Sequence, residues 1–229
     1  MTMPPDPRRV ELTRAILPHV AFDGWSRAAF NAAMRDSGMS EAEARAACPR
    51  GAVDLAVTHH RMGDQAMIEA LRKADLSQMR FRDRVAHALR LRIAAIEDRE
   101  AVRRASALFA LPHMAPEGAR LVWGTADAIW TALGDTSVDG NWYTKRATLS
   151  AVWGSVILYW LGDDSLGGQA TEAFIDRRID DVMTIEKLKA QARDNPLLRP
   201  VTGPLGALFG RMRRPGSLND LPGAWRQPR

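Results

Sequence analysis

An all-α bundle of about nine helices is the fold this sequence predicts, on three observations. Apolar residues recur every three or four positions through most of residues 10–193. β-branched runs are short, and no alternating stretch is flanked by hairpin turns. From Pro196 onward the chain turns rich in Pro and Gly, which separates one helical body from a tail. The 46% apolar and 26% charged composition is globular and excludes disorder throughout. The longest nearly apolar run, Ala151–Gly162, is far shorter than the roughly 20 residues of a membrane span, so no crossing is predicted. A single cysteine, Cys48, excludes an intramolecular disulfide and points to a reducing compartment.

The elements follow in order. Residues 10–21 form a helix with Leu12, Ile16, Leu17 and Val20 on one stripe, and Pro18 shortening or kinking it. Gly24-Trp25 breaks the chain. Ser26 caps a second helix that Gly38 ends. Ser40-Glu41-Ala42-Glu43 fits a capping box and opens a short third helix to about Ala47, stopped by Pro49 and Gly51. Long helices are predicted over 53–74 and 76–95, the latter burying Phe81, Val85, Leu89 and Ile93. Helices over 97–111, over 121–133 in an element that Pro116-Glu117 starts, and over 141–161 and 169–193 complete the body.

Charge separates body from tail. Residues 1–194 balance acidic and basic side chains, so the net +5 belongs to the Arg-rich tail, 195–229. A basic tail seeks phosphate, on lipid or nucleic acid. Within it, Leu205, Leu208, Phe209 and Met212 lie apolar beside Arg211, Arg213 and Arg214, the pattern of a short amphipathic helix. Catalytic motifs are missing: no phosphate loop, no G-x-S-x-G elbow, no Glu-x-x-His pair. His59-His60 point about 100° apart on a helix, cannot readily share a metal, and are expected at the surface. Cys48 lies near Arg45 and Arg50 in sequence but has no identifiable base, so it reads as inert. No catalytic residue, metal or cofactor is expected.

Two features carry more information. Helix, Gly-Trp, helix, Gly-Met-Ser, short helix is the spacing of a helix-turn-helix of the TetR regulator type. Its third helix, Glu41-Ala-Glu-Ala-Arg45, would set two carboxylates against DNA phosphates, and residues 1–50 carry a net charge near zero. We read a retained scaffold without the reading function, and no nucleic acid as partner. The second feature is the aromatic segment 121–161, with five of the seven tryptophans. Trp153 and Trp160, seven apart, suit an interior. Trp142-Tyr143, beside a polar loop among Asp139, Asn141, Lys145 and Arg146, suits an exposed protein-contact patch.

Ala110-Leu-Pro-His-Met114, Asp127-Ala-Ile-Trp130, Gly134-Asp135 and Asp139-Gly-Asn-Trp-Tyr-Thr-Lys-Arg146, with Ala21-Phe-Asp-Gly-Trp25, closely resemble the ubiquinone (coenzyme Q) biosynthesis accessory proteins over roughly residues 8–190. The resemblance implies a TetR-like helical fold that does not regulate transcription. It implies a homodimer through the last two body helices and an isoprenoid or phospholipid bound in an apolar interior. It further implies a partner, the hydroxylase that acts on demethoxyubiquinone, contacted through Trp142 and Tyr143 with Asp139, Asn141 and Arg146. By the same resemblance a C-terminal amphipathic helix docks on the membrane, here Pro204–Arg214 with the residues named above. The expected divisions are a helix-turn-helix-like region at 1–52, a lipid-binding and dimerisation region at 53–194, and a membrane-binding tail at 195–229. Lipid-lining candidates, chosen as large apolar residues on inward stripes, are Leu108, Leu111, Met114, Trp123, Trp153 and Val156. The N-terminus shows no transit peptide, so a bacterial member on the cytoplasmic face of the membrane is expected, with mitochondrial relatives in eukaryotes. The competing reading is a ligand-responsive TetR-type regulator.

Overall fold

The computed structural model describes residues 6–138 and 140–194, with side chains to residue 184. Nine α-helices run through them, with no strand among the described residues. They are α1 (Pro7–Asp23), α2 (Arg27–Ser37), α3 (Glu41–Ala47), α4 (Ala52–Lys73), α5 (Phe81–Ala94), α6 (Arg99–Phe109), α7 (Ala115–Ala132), α8 (Gly140–Leu161) and α9 (Gln169–Asp194).

Local chemistry fixes most ends. Asp6 accepts from the Arg8 N–H at 3.0 Å and Pro7 occupies the first turn of α1, where its missing N–H costs nothing. Ser26 caps α2 through the Ala29 N–H, and Gly38, left-handed at φ 65°, closes it. The capping box of α3 is formed, with Ser40 and Glu43 satisfying each other's backbone. Pro18 sits on an exposed face of an unbroken α1. One start differs from expectation. α5 begins at Phe81 rather than Leu76, because Asp75 takes the Ser77 N–H at 2.9 Å and Arg84 Nε donates to the Met79 carbonyl at 3.0 Å, holding 75–80 as turns. Phe81 is thereby 46% exposed instead of buried, although its ring stacks on Trp130. α7 begins at Ala115 with Pro116 in its first turn, where the sequence opens the element.

Side chains gather into two cores. The first joins α1, α2, α3, the start of α4 and α6 around Leu12, Ile16, Val20, Phe30 and Leu55. Trp25 ties it to α6 by donating from Nε1 to the Ala101 carbonyl at 3.0 Å. The second joins the end of α4 with α5, α7, α8 and α9 around Met67, Leu89, Ile129, Trp153 and Ile175. α4 belongs to both cores, so the expected division at 52/53 falls where a shared helix begins.

Between the cores lies a polar layer. Arg92 of α5 is almost fully buried; its Nε donates to Asp64 at 2.7 Å and its Nη2 to the His60 carbonyl at 3.0 Å. Thr125 of α7 donates to Asp64 at 2.9 Å and meets His60 Nε2 at 2.9 Å. Arg92 also stacks over Trp153. His59 lies against the Trp25 ring, 5.7 Å between centroids. The histidine pair is therefore a mostly buried structural element, not a surface one. Desolvation pushes the His59 pKa down to about 4, with Arg92 adding to the effect. Burial likewise lowers that of His60.

The sign of the resulting pH dependence follows. An unfolded histidine takes a proton below about pH 6.5, whereas folded His59 refuses it until about pH 4. The stability contributed by neutral His59 is complete above pH 6.5 and declines as pH falls to 4. Urea unfolding at pH 7.5, 5.5 and 4.5 should show that decline, and His59→Phe, which keeps an aromatic ring against Trp25, should reduce it.

Arginines of α6 close the far end of α8. Arg99 donates to the carbonyls of Trp160 and Asp163, and Arg103 to that of Leu161 at 2.8 Å. Cations thus stand where the helix dipole is negative. Asp163 then caps the start of α9 by accepting from the Thr171 N–H at 2.8 Å and the Ser165 N–H at 2.9 Å. Hydrogen bonds from Ser165 and Thr171 hold its carboxyl well below the usual carboxylate range.

Candidate functional site

The residues of the Asp139–Arg146 stretch begin α8 and face the end of α7. The loop between the helices closes on Asp135, whose side chain accepts from Ser137 Oγ at 2.8 Å and Lys145 Nζ at 2.8 Å. Arg146 is 1% exposed. Its Nε donates to Asp127 of α7 at 2.5 Å, and its Nη1 donates to Asp135 at 2.9 Å and to the Trp142 carbonyl at 3.3 Å. The guanidinium lies 4.2 Å from the Trp142 ring centre, and Lys145 Nζ lies 5.2 Å from that of Trp130. Trp130 Nε1 donates to the Lys145 carbonyl at 3.1 Å. Two carboxylates and two cations therefore interlock with two indole rings. Burial opposes the charge on Asp135, but hydrogen bonds from Lys145, Arg146 and Ser137 outweigh it and hold its carboxyl well below the usual range.

This corrects one expectation. Trp142 is 2% exposed, wedged against Trp123 at 5.8 Å and Tyr143 at 4.9 Å between ring centres. It is a packing residue, as Arg146 is a buried ion-pair residue, because α8 turns both toward α7. Tyr143 is half-buried and Asn141 exposed, so these two reach the surface. Asp139 lies outside the described residues, as do Leu205, Leu208, Phe209, Met212, Arg211, Arg213, Arg214 and the whole tail from residue 195.

The six lipid-lining candidates differ in burial and in the core they join. Trp153 and Val156 are packed in the second core. Leu108 packs against the first. Met114 is half-buried and Leu111 is 44% exposed at the α6–α7 connection, and Trp123 is half-buried beside Trp142. Two cavities, of about 550 and 390 Å3, lie instead at the N-terminal trio and touch none of the six. Cys48 is buried, and desolvation pushes its thiol up to about 11, so it is unreactive near neutral pH. Among the described residues no group of three or more His, Cys, Asp and Glu is placed to hold a metal ion, and no helix is long and apolar enough to cross a membrane.

Sequence reasoning missed the partners that organise the site. Asp127 and Asp135 figured only as parts of the resemblance, yet they are the anchors of Arg146. The signal was available: an Asp within the apolar stripe of α7 and an Arg within that of α8 need each other.

Residues 115–186, which span α7, α8 and most of α9, match the COQ9 family model. The chain is 34% identical over 113 residues to the mitochondrial ubiquinone biosynthesis protein COQ9 of Homo sapiens, covering 49% of this chain and 35% of that protein. It is 28% identical over 189 residues to that of Bos taurus, and over 191 residues to that of Drosophila melanogaster, covering 78% and 81% of this chain and 58% of each relative. The chain thus spans less than two thirds of the length of the curated relatives it matches. A crystal structure of a TetR transcriptional regulator from Nitrosomonas europaea superimposes with a TM-score of 0.62 at 17% identity, covering 76% of this chain and 97% of that one. At that identity the likeness concerns the fold alone. Over residues 115–186 the chain is therefore similar to the COQ9 family of ubiquinone biosynthesis proteins, and it carries that region on an all-helical frame of the TetR type.

Proposed function

We propose that the chain is a non-catalytic accessory protein of ubiquinone biosynthesis, which binds a prenylated quinone precursor and presents it to the demethoxyubiquinone hydroxylase at a membrane surface. The observation that carries this reading is the COQ9 match over residues 115–186, which coincides with the interlocked α7–α8 node and its aromatic ring cluster. The physical need is plain. Each CH2 of a polyprenyl tail is worth about 0.8 kcal/mol when buried, so an enzyme outside the bilayer reaches such a molecule only with help.

In this reading Asn141 and Tyr143, with Asp139, meet the hydroxylase, while Trp142 and Arg146 hold them in place from beneath. Leu108, Leu111, Met114 and Trp123, along α6 and α7, contact the lipid; Trp153 and Val156 support them from the core. A second copy of the chain packs on α8 and α9, where Leu158 is 66% exposed. The apolar and arginine residues between 205 and 214 hold the protein on anionic phospholipid at about 1 kcal/mol per basic residue. The location in this reading is the inner face of the cytoplasmic membrane of a bacterium, while the relatives' names place those proteins in mitochondria.

The competing regulator reading draws support from the fold. Against it, Glu41 and Glu43 are exposed at the start of α3, the helix that would enter the groove of DNA. Native mass spectrometry of the purified full chain with lipid extraction tests the main reading: a bound prenylated molecule on a dimer is expected, and delipidated monomer would sink it. Tyr143→Ala with Asn141→Ala should abolish hydroxylase pull-down while leaving the helical circular dichroism spectrum and the bound lipid intact. Unchanged capture would remove the assigned patch.

A further inference from the structure

The two cavities of the N-terminal trio lie side by side and share Arg27, Asn31 and Arg45. Nothing in the quinone reading uses them. Arg27, Asn31 and Arg35 recur every four residues, so they line one face of α2, the two arginines about 12 Å apart. Neither arginine is paired with a carboxylate among the described residues, in a chain where most other arginines are. Arg45 answers from α3, held by Glu41 at 2.7 Å, and Arg50 from the α3–α4 turn, held by Asp54 and Glu117. Between the cations stand Met34 and Met39 in one cavity, beside Glu41, whose charge Arg45 balances, and Trp25, Phe30, Pro49 and Val53 in the other.

We infer that this groove is a docking site for an acidic, amphipathic protein segment, its carboxylates meeting Arg27 and Arg35 and its apolar side chains settling between Met34, Met39 and Phe30. Charge complementarity selects an acidic partner. Shape selects a peptide over duplex DNA. The arginines line a concave cleft that a side-chain-bearing segment can fill; Glu41 stands in that cleft paired with Arg45, and Glu43 is exposed on α3, the helix a duplex would meet. Methionine walls adapt to apolar side chains of different shapes. The inference is independent of lipid binding and of the Tyr143 surface.

Fluorescence anisotropy on the full chain tests it. The probe is a fluorescein-labelled 16-residue helical peptide with Glu at every fourth position on one face and Leu on the other. Saturable, salt-sensitive binding is expected, weakened at least tenfold by Arg27→Glu with Arg35→Glu and unaffected by Arg61→Glu with Arg72→Glu on the exposed face of α4. The same peptide with Lys for Glu should not bind. Equal thermal midpoints establish that the variants are folded, and a photo-crosslinking residue at Asn31 should capture the acidic peptide in the unaltered background. The inference fails if the full chain does not bind the acidic peptide. It fails equally if the Arg27/Arg35 variant binds as before, or if a 20-base-pair duplex binds more tightly and loses that binding in the same variant.

Discussion

Arg146→Ala is expected to lower the midpoint of thermal unfolding by about 10 °C. The side chain is buried, and it donates to Asp127 of α7 and to Asp135 of the α7–α8 loop. Removing one partner of a buried ion pair typically costs 3–5 kcal/mol, because the other stays desolvated and uncompensated. For a chain of this size each kcal/mol moves the midpoint by roughly 2–4 °C. Asp135 would keep Lys145, so the loss should come mostly from Asp127 and from the unsupported face of Trp142. Arg146→Lys should recover part of the loss, since it keeps the charge and loses the fork that spans both acids. Circular dichroism melts of the three proteins decide the matter. An acid limb provides an internal check. The Asp135 carboxyl is held low in the folded chain, so its stabilisation is complete above the unfolded value of about 3.9 and is lost as pH falls below it. Asp135→Asn should flatten stability between pH 4.5 and 2.5, a window below that of His59.

Gly63→Ala, a single added methyl group, should destabilise the protein by about 3 kcal/mol. A Cβ there would stand 2.5 Å from Arg92 Nη1 and 2.6 Å from Cζ. An arginine tip usually swings aside, but this one is pinned by Asp64 and the His60 carbonyl and lies against Trp153. Overpacking alone costs 1–3 kcal/mol, and displacing the guanidinium adds part of the cost of a broken buried pair. Denaturant titration of Gly63→Ala, Arg92→Met and the double variant forms a cycle. The two losses should be strongly non-additive, since once Arg92 is gone the alanine finds room. Additive losses would show that Gly63 matters for a different reason.

The helices were legible because their signals are local. Ser26, Gly38 and the Ser40–Glu43 box act within four residues, and the structure keeps each of them. The start of α5 was not, since Leu76 continues the apolar period while Asp75 diverts the backbone through a side-chain hydrogen bond that periodicity does not register. Exposure was the harder quantity. Trp142 and Tyr143 sit among polar neighbours in the chain, which reads as surface, yet the polar groups beside Trp142 are the ones that bury it: Arg146 covers the ring after spending its charge on Asp127 and Asp135, 19 and 11 residues away. His59 and His60 were misplaced for the same reason, because Arg92 and Thr125 arrive from two other helices. Pairings across helices are what a linear reading of one chain does not contain.

α4 is also a mechanical element. Its 22 residues make a continuous rod about 33 Å long, and the charged layer at His60, Gly63 and Asp64 clamps it near the middle. Its first turns seat Ala52, Leu55 and Ala56 in one core and its last turns seat Met67 and Leu71 in the other, so a single strut serves both and the two halves of the body should unfold together.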